Sequence, residues 1–107
     1  MKAPTVAEQR WMTDAVRLGC IICLIEGRGE SQAEIHHMLS SGRRMGHMFT
    51  IPLCAIHHRG GCNDADVVSR DQSQRRFEAR YGPESWLLRD TVRRVEIMRA
   101  RQVGATA

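Results

Sequence analysis

The stretch Ile51-Pro52-Leu53-Cys54-Ala55-Ile56-His57-His58 runs from a short apolar segment through a proline to a cysteine three positions ahead of a histidine. A C-x2-H pair at a helix start offers one thiolate and one imidazole to a single ion. Its natural complement lies upstream, in Cys20-Ile21-Ile22-Cys23. Thiolates in C-x2-C spacing grip an ion from a tight turn whose N–H groups support the sulfurs, and the second pair completes a tetrahedron. Cys20, Cys23, Cys54 and His57 are therefore expected to hold a structural zinc. The other reading is buried free cysteines or a redox pair. A redox C-x2-C usually opens a helix in a βαβ setting, whereas this one follows a helix.

All nine cysteines and histidines fall between Cys20 and Cys62, more ligand than one tetrahedral ion needs. Left over are His36, His37, His47, His58 and Cys62. On a helix, His57 and His58 diverge by roughly 100°, so one can face the zinc and the other a different site. On a strand, His36 and His37 point to opposite faces, although at a strand's end both can reach one cleft. A strand-end histidine opposite a helix histidine supplies a metal ligand and a neighbouring base. That combination suits phosphodiester hydrolysis, in which one imidazole activates water and a metal stabilises charge on the phosphate.

The flanking pattern places these motifs on elements. Thr5-Val6-Ala7-Glu8 is a capping box; Trp11, Ala15 and Leu18 recur at helical spacing, and Gly19 closes the helix predicted for residues 5–18. Residues 26–32 and 40–46 read as loops, with short strands at residues 33–38 and 49–51 pairing with each other. Pro52 lets the chain turn into a helical segment near Cys54, and residues 59–70 read as irregular. Asp71 is predicted to cap a helix carrying Phe77 and Tyr81 on one face, which Gly82-Pro83 ends. Pro83 then opens a last helix to about Arg101, with Leu88, Val92 and Val95 on its apolar stripe and Arg89, Arg93, Arg94, Arg99 and Arg101 opposite. The tail 104–107 is expected to fray.

At 107 residues, one domain is expected over 1–107, with a core at about 19–82 and a C-terminal helix at about 83–102. Five aromatic side chains make a thin core, so a zinc staple would matter to stability. The start, Met1-Lys2-Ala3-Pro4-Thr5, carries no secretory pattern. The longest apolar run, Cys20 to Ile25, is six residues, far below the ~20 of a membrane span. The net charge is +4, and fifteen of the sixteen cationic side chains are arginine, whose planar fork suits phosphate oxygens. This balance points to a polyanionic partner, nucleic acid first.

His36-His37 followed by Pro52-Leu53-Cys54-Ala55-Ile56-His57-His58 resembles the ββα-metal motif of HNH endonucleases in its zinc-stapled form. The longer pattern is Gly19-Cys20-x2-Cys23, Ile35-His36-His37, Gly42-Arg43-Arg44-x2-His47, Cys54-x2-His57-His58-Arg59 and Arg76-Phe77-Glu78-x-Arg80-Tyr81-Gly82. Over about residues 15–90 it is similar to the phage recombination-enhancement nucleases of the Ref type, which cut DNA with the help of a RecA filament. The resemblance implies an α+β fold, a small single domain with a ββα-metal (HNH, His-Me finger) core stapled by zinc and flanked by N- and C-terminal helices. It implies a metal-dependent DNA endonuclease of phage or prophage recombination, with DNA and a RecA-type filament as partners. With no secretory pattern and no apolar run of membrane length, a cytoplasmic location is expected, with neither membrane nor small-molecule cofactor. A non-catalytic zinc-stapled DNA- or protein-binding module is the alternative.

Roles carry over position by position. The resemblance implies His37 as the general base, His36 and His58 as ligands of a catalytic Mg²⁺, Mn²⁺ or Zn²⁺, and His47 at the family's middle position, often Asn. Spacing alone does not choose between His36 and His37 as base. No histidine follows His58 where many members have one, and Cys62, Asp64 or Asp66 could fill that place. Arg43, Arg44, Arg59 and Arg76 are the expected phosphate contacts.

Overall fold

Thr5 opens the first helix as its sequence dictates: its hydroxyl accepts from Glu8 N at 3.1 Å while the Glu8 carboxylate accepts from Thr5 N at 2.9 Å. In the computed structural model, which describes residues 2–62, 64 and 66–106, this is α1 (Val6–Leu18). Gly19 ends it at φ 96°, where a Cβ would also come within 3.1 Å of the Ser31 carbonyl oxygen. The chain then departs from a bare knuckle. Cys20 is the N-cap of a one-turn helix, α2 (Ile21–Ile25), because Ile21 and Ile22 plunge into the core.

Strand β1 (Glu34–His37) follows the expected loop. Residues 40–46, expected as a loop, instead take part in a minimal hairpin of β2 (Leu39–Ser40) and β3 (Arg43–Arg44). Ser41 and Gly42 turn it with φ of 51° and 77°, the double positive φ of a two-residue hairpin turn. Strand β4 (Thr50–Leu53) returns antiparallel to β1, His36 opposite Ile51 and His37 opposite Thr50. Pro52 lies inside β4, and Cys54 caps α3 (Ala55–His58). Positions 63 and 65 of the stretch expected to be irregular lie outside the described residues.

Ser73, not Asp71, caps α4 (Gln74–Tyr81), its hydroxyl accepting from Arg76 N at 3.2 Å. Asp71 is anchored elsewhere, by its own N–H on the His58 carbonyl at 2.9 Å. After Gly82 at φ 100°, α5 (Glu84–Thr106) runs past the expected end near Arg101 and through most of the expected frayed tail; Ala107 lies outside the described residues. Among the described residues the result is an α+β fold of five helices and two small antiparallel sheets. Among the described residues, no helix is long and apolar enough to cross a membrane.

Two apolar clusters meet at Leu88. One joins Cys20, Ile21, Ile22, Cys23, Ile51, Leu53, Phe77 and Leu87; the other joins Trp11, Met12, Ala15 and Val95. The buried stripe of α5 is therefore Glu84, Leu87, Thr91 and Val95, a rotation from the expected one that leaves Val92 at the surface. The helix turns this way because it packs on α1, where Arg99 Nε donates to buried Asp14 at 2.8 Å. Trp11 ties α1 to the sheet: Nε1 donates to Thr50 Oγ1 at 2.9 Å, and Thr50 Oγ1 donates to the His47 carbonyl at 3.0 Å.

Trp11→Phe keeps most of the apolar volume but removes this buried hydrogen bond. A loss of about 1–2 kcal/mol is expected, read as a fall in Tm on the order of 5 °C or more. An unchanged thermal unfolding curve would show that the bond does not help hold α1 to the sheet.

Candidate functional site

Cys20 and Cys23 from α2, Cys54 from the end of β4 and His57 from α3 converge with their ligand atoms within 4.8 Å of one another. The His57 Nδ1 lies 3.6, 3.7 and 3.2 Å from the sulfurs of Cys20, Cys23 and Cys54. With Zn–S about 2.3 Å and Zn–N about 2.0–2.1 Å, a tetrahedron has an S···N edge of about 3.5 Å, so the donor set fits a structural zinc. Burial, reinforced by the neighbouring Cys54 and Cys23, pushes the Cys20 thiol up to about 12, while backbone hydrogen bonds at Cys23 and Cys54 pull the other way. Three thiolates packed this closely need a cation to be stable. Burial also lowers His57, favouring the neutral imidazole that a metal requires.

A second cluster forms where the next residue of α3 faces β1. His36, His58 and Asp71 bring ligand atoms within 4.8 Å of one another. The rings of His36 and His58 stand 5.1 Å apart, edge to face. The outer edges of both imidazoles are committed to carboxylates. His58 Nδ1 lies 2.7 Å from Glu34 Oε1, and His36 Nε2 lies 3.1 Å from Glu84 Oε1. Glu34 also takes Arg59 through Nε and Nη2 at 2.8 and 3.2 Å, and Glu84 takes Arg70 Nε at 2.6 Å. Burial alone would raise Glu34 and Glu84, but these hydrogen bonds outweigh it and hold both below the usual carboxylate range. An ionised carboxylate only accepts, so His58 Nδ1 and His36 Nε2 carry protons. The lone pairs of the neutral rings then sit on His58 Nε2 and His36 Nδ1, in the carboxylate–histidine pattern that orients metal-binding imidazoles.

His37 is turned to the other face of β1, as strand alternation requires, and its Nε2 lies 3.1 Å from His47 Nδ1. His47 Nε2 in turn lies 2.8 Å from the Lys2 carbonyl oxygen. A carbonyl only accepts, so His47 Nε2 donates. Neutral His47 then accepts at Nδ1 from His37 Nε2–H, which leaves the lone pair of His37 on Nδ1. Burial lowers His37 below the usual imidazole range, with Arg44, His47 and His36 adding to the effect.

The five histidines thus sort into the thiolate cluster (His57), the pair His36–His58 and the pair His37–His47. Of the residues considered for the late-ligand place, Cys62 is exposed on the rim of a 640 Å³ cavity also lined by Cys23, Cys54 and Asp64, and Asp66 N bonds Asp64 Oδ1. None of these three joins the His36–His58 cluster; Asp71 does. Arg43 and Arg44 are exposed on the small hairpin, Arg76 is exposed on α4, and Arg59 spends its fork on Glu34. Sequence reasoning missed Asp71, Glu34, Glu84 and Arg70. The one local signal was Glu34, two positions before His36 and so on the same strand face.

The family model described as recombination enhancement, RecA-dependent nuclease, matches residues 4–96. No curated protein matches the chain. The chain belongs to this RecA-dependent nuclease family.

Proposed function

We propose that this member of the RecA-dependent nuclease family is a metal-dependent DNA endonuclease of HNH type, acting in phage or prophage recombination, in the cytoplasm, on DNA brought to it by a RecA-type filament. The observation that carries the reading is one strand end with two histidines in different employment. His36 pairs with His58, each ring bonded to its own ionised carboxylate, while His37 is joined to His47 with its Nδ1 lone pair uncommitted.

His37 is the general base. Its lowered proton affinity keeps Nδ1 unprotonated at neutral pH, and a proton taken there from water leaves an imidazolium whose Nε2–H still donates to His47. His47 holds the tautomer and ring orientation, anchored by the Lys2 carbonyl. His36 and His58 would hold a divalent ion (Mg²⁺, Mn²⁺ or Zn²⁺), which when bound stabilises charge on the phosphate and the leaving oxygen. Arg43 and Arg44 on the exposed hairpin and Arg76 on α4 bind phosphates, and Arg59 holds Glu34 against His58 at the same edge. Cys20, Cys23, Cys54 and His57 hold structural zinc and fix α3 against the sheet. A non-catalytic zinc-stapled binding module is favoured by a single observation, the divergence of His36 and His37 to opposite faces of β1.

Cleavage of plasmid and single-stranded DNA with Mg²⁺ or Mn²⁺, with and without a RecA filament, separates the two. Wild type is expected to cut. His37→Ala is expected to fold normally and lose roughly 10²–10⁴ in rate. Binding by both proteins with cutting by neither would leave the binding module as the better account. Cys23→Ser is expected to lose zinc and unfold, and a variant with unchanged Tm and zinc content would refute the staple. Replacing Arg43 and Arg44 with alanine should flatten the slope of log affinity against log salt by about 0.9 per lost phosphate contact on duplex DNA; an unchanged slope would remove the hairpin from the DNA interface.

A further inference from the structure

Asp71 belongs to no motif, yet its backbone is fixed to the same helix that carries His58. Arg70 N–H donates to the His57 carbonyl at 2.8 Å, and Asp71 N–H to the His58 carbonyl at 2.9 Å. The buried Arg70 side chain then locks this segment to the start of α5 through Glu84 at 2.6 Å and to the start of α4 through the Gln74 side-chain oxygen at 3.1 Å. Gly60, at φ 101°, lets the loop close: a Cβ there would come within 3.0 Å of the Gln72 side chain and 3.2 Å of Ser69 Oγ. The backbone at Asp71 is thus held in place by its surroundings, and its carboxylate starts from a fixed point rather than from a free loop.

Its position relative to the imidazoles is specific. Asp71 Oδ1 stands 3.9 Å from His58 Nε2, the ring nitrogen not engaged by Glu34. That is too long for a hydrogen bond. It is the right order for two ligands of one ion at about 2.0–2.2 Å from each. Glu84, meanwhile, braces His36 and Arg70 together, so the His36 side and the Asp71 side share one anchor. The Asp71 side chain is 50 % exposed, which leaves one side of the cluster open to solvent.

We propose that Asp71 is the third protein ligand of the divalent ion held by His36 and His58, with Arg70 and Glu84 as its positioning residues. The chain thereby makes two metal sites of opposite design. The thiolate site is closed by four protein ligands, whereas the second offers three and keeps positions for water and a phosphate oxygen, as catalytic sites do. This rests on the reading of His36 and His58 as ion ligands, and the experiment separates the two claims.

The probe is Mn²⁺, titrated calorimetrically into the full-length, zinc-loaded protein. Sulfur ligands prefer zinc, while imidazole with carboxylate accepts manganese. Zinc content and Tm are measured on each variant. Wild type is expected to bind one Mn²⁺ beyond its zinc. Asp71→Asn, with zinc content and Tm unchanged, is expected to weaken Mn²⁺ at least about tenfold, the lower end for disturbing a metal shell, and His58→Ala to weaken it at least as much. Arg70→Gln, which keeps Asp71 but loosens its anchor, is expected to fall between wild type and Asp71→Asn. If Asp71→Asn binds Mn²⁺ as wild type does while His58→Ala does not, Asp71 is no ligand and the proposal falls, while His58 stands as a ligand. If wild type itself binds no Mn²⁺ beyond its zinc, the ion reading of His36 and His58 fails, and the Asp71 proposal with it.

Discussion

Three sulfurs crowded around the Nδ1 of His57, against the main apolar cluster, set the turn of helix that carries His58. The cluster joins α2, β4 and α3, elements too short to hold one another by packing alone. Fixing His57 fixes the rotation of α3, and that rotation aims the next residue, His58, at β1. The carbonyls of His57 and His58 then receive the N–H groups of Arg70 and Asp71. A chain of consequences therefore runs from one core cluster through a single helical turn to the His36–His58–Asp71 cluster.

Much of this was legible in the sequence where the determining partners are close along the chain. The capping box at Thr5 and Glu8 defines α1, Gly19 ends it, and the two short strands pair as their composition suggests. The four residues of the thiolate cluster announce themselves because every cysteine and histidine lies between Cys20 and Cys62 and the C-x2-C and C-x2-H spacings are specific. The carboxylates did not announce themselves. With twelve acidic residues in the chain, nothing local marks Asp71 or Glu84 as different from the rest. Their roles follow from Arg70 reaching Glu84 across 14 positions and from His36 reaching it across 48. The stripe on α5 was misjudged for a related reason. Helical periodicity gives the width of an apolar face, but the Arg99–Asp14 bond and packing on α1 decide which way it turns.

Strand β1 divides the chemistry. Glu34 and His36 lie on the face toward α3 and Glu84, while Ile35 and His37 lie on the face toward α1, Ile35 packing against the Trp11 cluster. Each face uses a different means of fixing an imidazole. On one side, ionised carboxylates hold the proton-bearing edges and turn lone pairs toward a common point. On the other, a second histidine and a main-chain carbonyl do so, and they place no negative charge beside His37. A carboxylate partner would have raised the proton affinity of His37; the neutral relay leaves burial and Arg44 free to lower it.

The far end of that relay is the Lys2 carbonyl, a group every amino acid possesses. Position 2 can therefore drift through almost any side chain without touching the hydrogen bond, and a scan of single substitutions there would report tolerance. The constraint is on the path of the main chain from residue 2 to Thr5, and it is inherited through geometry rather than through letters. Comparisons that weigh positions by residue identity will pass over it, although it holds one of the two imidazoles of the His37–His47 pair in register.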